Sequence, residues 1–139
     1  MTTFVVDASV AIKWVIEEPG TIAALGLRRH RLLAPDLIVA ECANILWKKV
    51  RRHELSREEA TLAARLLARA EIELAPMRRL LEPATKLALQ LDHPAYDCTY
   101  LALAADQACR FVTADESLRR KLPPTALADR VLLLDQMHP

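Results

Sequence analysis

The chain has 139 residues, 53% of them apolar, and only 2 glycines. That is enough apolar material for one buried core, and it excludes a disordered or staple-dependent chain. The 19 basic and 18 acidic side chains leave a formal charge of +1, which neither demands nor excludes a nucleic-acid partner.

Cys42, Cys98 and Cys109 are far apart and form no C-x-x-C pair, so they read as free thiols of a reducing cytoplasm, not as a disulfide framework or a zinc site. The apolar start is cut by Asp7 and Lys13 and is too short for a signal or membrane segment. Residues 3–6 are β-branched and aromatic and predict a buried strand ending at Asp7. Residues 8–18 have helical spacing, with Val10, Trp14 and Val15 on one face, until Pro19-Gly20. A helix over 21–29 and a short strand over 32–34 follow. Asp36 is placed to cap a helix running to about residue 52. Ser56-Arg57-Glu58-Glu59 is a capping box opening a helix to about residue 69. Residues 71–75 alternate as a strand. A helix over 80–91 carries Pro83 in its first turns, and Pro94 opens another over 95–107. Residues 110–113 form a strand, 115–121 a short helix ended by Pro123-Pro124, and 131–134 a last strand. Apolar strands alternating with helices indicate an α/β layer structure with a mostly parallel sheet, in one domain over residues 1–139.

The informative signal is acid in apolar company. Asp7 lies where a strand gives way to a helix, the edge at which open parallel sheets bind ligands; by itself it reads equally as a helix cap. Glu41 is the only charge between Asp36 and Lys48, in the apolar stretch Leu37 to Trp47, with Asn44 one turn on and able to hydrogen-bond beside it. Asp97 falls in a first helical turn, where the dipole favours a carboxylate. Asp115 follows Phe111-Val112-Thr113-Ala114 and repeats the setting of Asp7, with Glu116 able to supplement it.

Carboxylates gathered in one cleft stay ionised only with a cation. Hard ions such as Mg²⁺ or Mn²⁺ prefer oxygen ligands, and such sites hydrolyse phosphodiesters through an activated water. No phosphate-binding glycine loop, dinucleotide fingerprint or G-x-S-x-G elbow competes, and the four histidines have no metal-ligand spacing.

Val5-Val6-Asp7-Ala8-Ser9-Val10-Ala11-Ile12-Lys13-Trp14 resembles the opening of PIN domains, especially VapC-type toxins of toxin–antitoxin pairs. Glu41 in its apolar helix is similar to their second acid. Tyr96-Asp97-x-x-Tyr100-Leu101-Ala102-x-Ala104 resembles the third-acid motif and Phe111-Val112-Thr113-Ala114-Asp115-x-x-Leu118 the fourth. The resemblance implies a three-layer α/β/α sandwich with a five-stranded parallel sheet, and Mg²⁺- or Mn²⁺-dependent endoribonuclease activity leaving a 5′-phosphate and a 3′-hydroxyl. It also implies a homodimer silenced by a cognate antitoxin. Asp7, Asp97 and Asp115 match acids that hold metal directly or through water, and Glu41 one that helps hold metal or water. Ser9 and Thr113 match polar positions supporting the first and last acids.

An RNA substrate calls for cations near the acids. The basic runs are Arg28 to Arg31, Lys48 to His53 and Arg119 to Lys121, all of which also suit solvated helix ends; Lys13 either pairs with an acid or faces RNA. Trp14 and Trp47 read as core or dimer-seam residues before base-stacking ones. The competing function is a non-catalytic PIN-like module that binds RNA or protein. A phosphatase or receiver domain is disfavoured, because the position two after Asp7 is Ser9 and no acidic pair or late lysine is in place.

Overall fold

Each run marked as a strand forms one. The computed structural model describes residues 1–137. Its strands are β1 (Thr3–Val6), β2 (Arg31–Pro35), β3 (Glu73–Ala75), β4 (Arg110–Thr113) and β5 (Val131–Leu133). They form one sheet in the order β3-β2-β1-β4-β5, and every pairing is parallel. The helices are α1 (Ala8–Ala11), α2 (Thr21–Gly26), α3 (Leu37–Arg51), α4 (Arg57–Leu67), α5 (Leu81–Leu91), α6 (Ala95–Asp106), α7 (Ser117–Lys121) and α8 (Ala126–Arg130).

Alternation along the strands divides the core between the sheet's two faces. Val5, Leu33, Phe111 and Val131 pack on one side with Ile38 and Cys42 of α3, Leu91 of α5 and the buried run of α6. Phe4, Val6, Leu32 and Val112 pack on the other with Ala24 of α2, Leu27 and Leu134. The result is the expected three-layer α/β/α sandwich. Helix α6 is buried from Cys98 to Ala104 without a break, which explains its apolar sequence on all sides. Parallel strands all point their carboxyl ends to one edge, and the order reverses direction at β1. The crevice between β1 and β4 is therefore the topological switch point where such sheets take ligands.

Several local expectations are corrected. The helix expected over 8–18 stops at Ala11 and continues only as a 3₁₀ turn, Ile12–Trp14. The Thr21 hydroxyl, donating to the Ile16 carbonyl and accepting from the Glu18 amide, satisfies the chain outside a helix. Asp36 stands at the start of α3 but makes no side-chain cap, because its own backbone is already helical (φ −64°, ψ −11°); its amide instead donates to the Ala75 carbonyl. The Ser56 capping box is present in both directions. Helix α3 is not buried all round: Val39 is 60% and Trp47 54% exposed. Trp47 therefore lies outside the core, with the Arg51 guanidinium 5.3 Å over its ring. Helix α8, which the two prolines before it obscured, is opened by Thr125, whose hydroxyl accepts from the Leu127 amide. Among the described residues no helix is long and apolar enough to cross a membrane.

Candidate active site

Asp7 is the first residue past β1, and the β1–β4 register pairs Val6 with Val112. Asp7 and Thr113 are therefore neighbours across the switch point. The Asp7 carboxylate is 7% exposed. It accepts from the Ser9 hydroxyl at 2.5 Å, the Thr113 hydroxyl at 2.6 Å and the Val10 amide at 3.3 Å. The last bond makes Asp7 the N-cap of α1, so capping and burial coexist in one residue. Each hydroxyl is held in turn by backbone: Ser9 accepts from the Ala114 amide at 3.0 Å and Thr113 from the Asp115 amide at 3.1 Å. A hydroxyl that accepts a fixed N–H points its own proton elsewhere, here at Asp7.

Burial pushes the Asp7 carboxyl up to about 6; hydrogen bonds from Ser9, Thr113 and Val10 offset part of the rise and the charge of Asp97 adds to it. Glu41, half-buried on α3, is also shifted upward, first by burial and then by Asp97, with the Tyr100 hydroxyl pulling the other way. Asp97 on α6 thus bears electrostatically on both, and the three acids form one like-charged group. Tyr100 is 1% exposed and stacks on Phe111 with ring centroids 5.3 Å apart. Its hydroxyl donates to Glu41 Oε1. Burial and then Glu41 raise the Tyr100 pKa strongly, so the phenol stays a donor.

Asp115 joins the group through Thr113 but differs in state. It is exposed, and its Oδ1 accepts from the Ser117 amide at 2.9 Å. Glu116 pairs with Arg120 at 2.8 Å and lines a hollow shared with Lys13, Gly20 and Asp135. Asn44 is exposed on α3 and does not support Glu41; the partner of that acid is Tyr100, 59 residues away in sequence. Asn44, three residues on, is turned to solvent despite its helical spacing from Glu41, which meets Tyr100 of α6 instead.

Sequence reasoning missed His93, whose Nε2 lies 2.7 Å from Asp97 Oδ2 with the imidazole side chain 6% exposed. The signal was its position four residues before Asp97. Lys13 does pair with an acid: Glu18 bridges Lys13 and Lys49 at 2.9 and 3.0 Å. Arg28 lies 5.6 Å over the Trp14 ring, and Trp14 donates its indole N–H to the Ala24 carbonyl at 2.7 Å.

Among the described residues, no three His, Cys, Asp or Glu side chains are close enough to enclose a metal by themselves. The donor set nonetheless fits a Mg²⁺-like ion. It consists of carboxylate oxygens, and two of its members, Asp7 and Glu41, hold protons above their ordinary range, first because they are buried and then because the charge of Asp97 repels both. A small hard cation relieves that repulsion, keeps several waters and needs only one or two protein carboxylates beside substrate phosphates.

An all-parallel sheet with Asp7 at its switch point, and with Asp97 in electrostatic reach of both Asp7 and Glu41, defines an α/β protein with an acidic sheet edge. The PIN domain family matches residues 4–121, and the chain belongs to that family. Ribonuclease VapC3 of Pyrobaculum aerophilum is 33% identical over 123 residues, covering 86% of this chain and 94% of that protein. Among solved structures, PAE2754 from Pyrobaculum aerophilum has a TM-score of 0.70 at 24% identity, covering 96% of this chain and 90% of that one. VapBC2 from Rickettsia felis, bound to a DNA fragment from its promoter, has a TM-score of 0.65 at 11% identity, covering 95% and 97%. Both structural likenesses concern the fold.

Proposed function

We propose that this chain is a Mg²⁺- or Mn²⁺-dependent endoribonuclease and the toxin of a toxin–antitoxin pair. One observation carries the proposal. Asp7 is buried at the switch point, fixed by two hydroxyls and pressed by the charge of Asp97, a state that favours taking up a cation. The likeness to a VapC ribonuclease supports RNA as the substrate. The fold shared with a VapBC protein supports an antitoxin partner. The same reading has the chain act as one domain over residues 1–139, as a homodimer, in the cytoplasm.

Asp7, Asp97 and Asp115 would hold the ion directly or through water, and Glu41 would help hold the ion or a water. When bound, the ion supplies a water of lowered pKa and neutralises charge gathering on the phosphate. The chain's own part is positional. Ser9 and Thr113 keep the Asp7 carboxylate ionisable and aimed. Tyr100 keeps Glu41 turned into the cleft. Helix α6 brings Asp97 to the same edge from the core side. Cleavage leaves a 5′-phosphate and a 3′-hydroxyl.

The test is incubation of the purified chain with single-stranded RNA and Mg²⁺ or Mn²⁺. The expected result is endonucleolytic cleavage with 5′-phosphorylated products, abolished by a chelator and restored by added metal. Cleavage that persists in chelator, or RNA binding without any cleavage at saturating metal, overturns the proposal; the second result would identify a binding module.

A further inference from the structure

We infer that His93 is a positioning residue for Asp97, fixing through Nε2 which carboxylate oxygen faces the cleft. The inference deepens the metal-nuclease reading and rests on it.

Asp97 sits in the first turn of α6, where a carboxylate commonly turns back onto free amide groups. Here it does not. The N-cap of the helix is Pro94, which makes no side-chain cap, and Asp97 Oδ2 is taken by His93 at 2.7 Å. An ionised carboxylate only accepts, so the proton of this bond resides on Nε2. Oδ1 has no protein partner among the described hydrogen bonds and is the oxygen left for the cleft.

The imidazole is itself held. Its side chain is 6% exposed while that of Asp97 is 29% exposed, so the donor is the buried member and the acid the accessible one. The segment that carries it is fixed at several points. Asp92 closes α5 in the left-handed region at φ 49°. The His93 amide donates to the Ala88 carbonyl at 3.2 Å, and Lys121 Nζ to the Asp92 carbonyl at 3.2 Å. Lys121 ends α7, the helix that follows Asp115. The segment that holds the histidine is thereby tied to the helix that follows the fourth acid. A donor locked against one oxygen of a metal-binding carboxylate removes the rotation that binding would otherwise have to freeze, and partners of this kind commonly govern affinity by 10–100-fold.

The experiment compares the native chain, His93→Met and His93→Gln. Methionine keeps comparable length without a donor; glutamine offers an amide N–H at about the place of Nε2. Mn²⁺ alone is titrated into RNA-free protein, with the free ion followed by electron paramagnetic resonance, and RNA cleavage is then measured across Mn²⁺ concentrations. His93→Met is expected to weaken Mn²⁺ binding about tenfold or more. It should raise the Mn²⁺ concentration for half-maximal cleavage to match, with kcat recovered at saturating metal. His93→Gln is expected to recover most of the affinity. Native-like Mn²⁺ binding by His93→Met overturns the positioning role, as does an equal loss in both variants, which would mark imidazole shape and not donation as the requirement. Should His93→Met fail to fold, His93→Leu, which likewise carries no donor, takes its place in the same titration, and native-like Mn²⁺ binding by it overturns the positioning role. A native chain that takes up no Mn²⁺ overturns the metal reading and the inference together, and so is distinguishable from failure of the inference by itself.

Discussion

Asp7 and Asp115 each follow a parallel strand, and their strands are neighbours, yet the two carboxylates live in opposite conditions. Asp7 is buried, bound by three donors and raised in pKa to about 6. Asp115 is exposed and spends one oxygen on the Ser117 amide of its own turn. The difference arises one residue after each strand. Asp7 comes directly after Val6 and stays within the sheet's edge, whereas Ala114 separates Asp115 from Thr113 and lifts it out. Thr113 joins the two, donating to one and accepting from the backbone of the other. The switch point thus pairs a buried, firmly bonded acid with an exposed one; in the proposed function the first would define the cation position and the second would be free to meet the substrate.

The sharpest way to break this comparison is to neutralise each acid in turn. Asp7→Asn is expected to reduce cleavage about a thousandfold or more, as the loss of several kcal/mol of transition-state stabilisation implies. Asp115→Asn is expected to reduce it roughly 10–100-fold. Single-turnover cleavage of one RNA by both variants checks this; equal losses would erase the distinction.

The second effect is on stability in the absence of metal. The folded pKa of Asp7 lies above its unfolded value of 3.8. Between about pH 4 and 6 the unfolded chain releases this proton while the folded chain keeps it. The stabilisation from protonated Asp7 is therefore complete below about pH 4 and lost as pH rises through about 6, a loss of at most roughly 3 kcal/mol. Urea unfolding at pH 4.5 and pH 7.5 in chelator should show this decline in the native chain and a smaller one in Asp7→Asn. Added Mn²⁺ should restore the native chain at pH 7.5 and leave the variant unmoved.

Thr113→Val comes next. It removes the donor to Asp7 and the acceptor of the Asp115 amide while keeping shape, and should destabilise the fold by about 1–3 kcal/mol, measured by urea unfolding. It should also narrow the difference between the two acids, because Asp7 loses one of its anchors. Tyr100→Phe is the smallest change. It deletes only the hydroxyl on Glu41, so cleavage should fall by about tenfold with the Tyr100–Phe111 packing kept, as near-ultraviolet circular dichroism would show.

Much of this arrangement is legible in the chain itself. The strands ending at Val6 and Thr113, the acids just past them and the apolar character of α6 follow from local pattern, because burial on both faces of a parallel sheet writes itself as uninterrupted apolar residues. The partners of the acids are a different matter. Tyr100 meets Glu41 across 59 residues, a pairing set by how α6 packs on α3 and by no local rule. His93 stands at helical spacing from Asp97, but Pro94 between them marks a helix start and hides the pair. Asn44 looked like the natural neighbour of Glu41 by spacing, yet it turns to solvent on an amphipathic helix whose outer face is itself apolar at Val39 and Trp47. Lys13 and Lys49 are joined only because Glu18 lies outside the helix in which periodicity placed it.

A cation seated against the Asp7 carboxylate is the centre of the proposed function. Crystals of the chain grown with Mn²⁺ and measured at the manganese absorption edge test it most directly. The predicted result is an anomalous peak within coordination distance of Asp7 that is absent from crystals of Asp7→Asn. A peak elsewhere on the molecule, or no peak in crystals of the native chain at millimolar Mn²⁺, would contradict it.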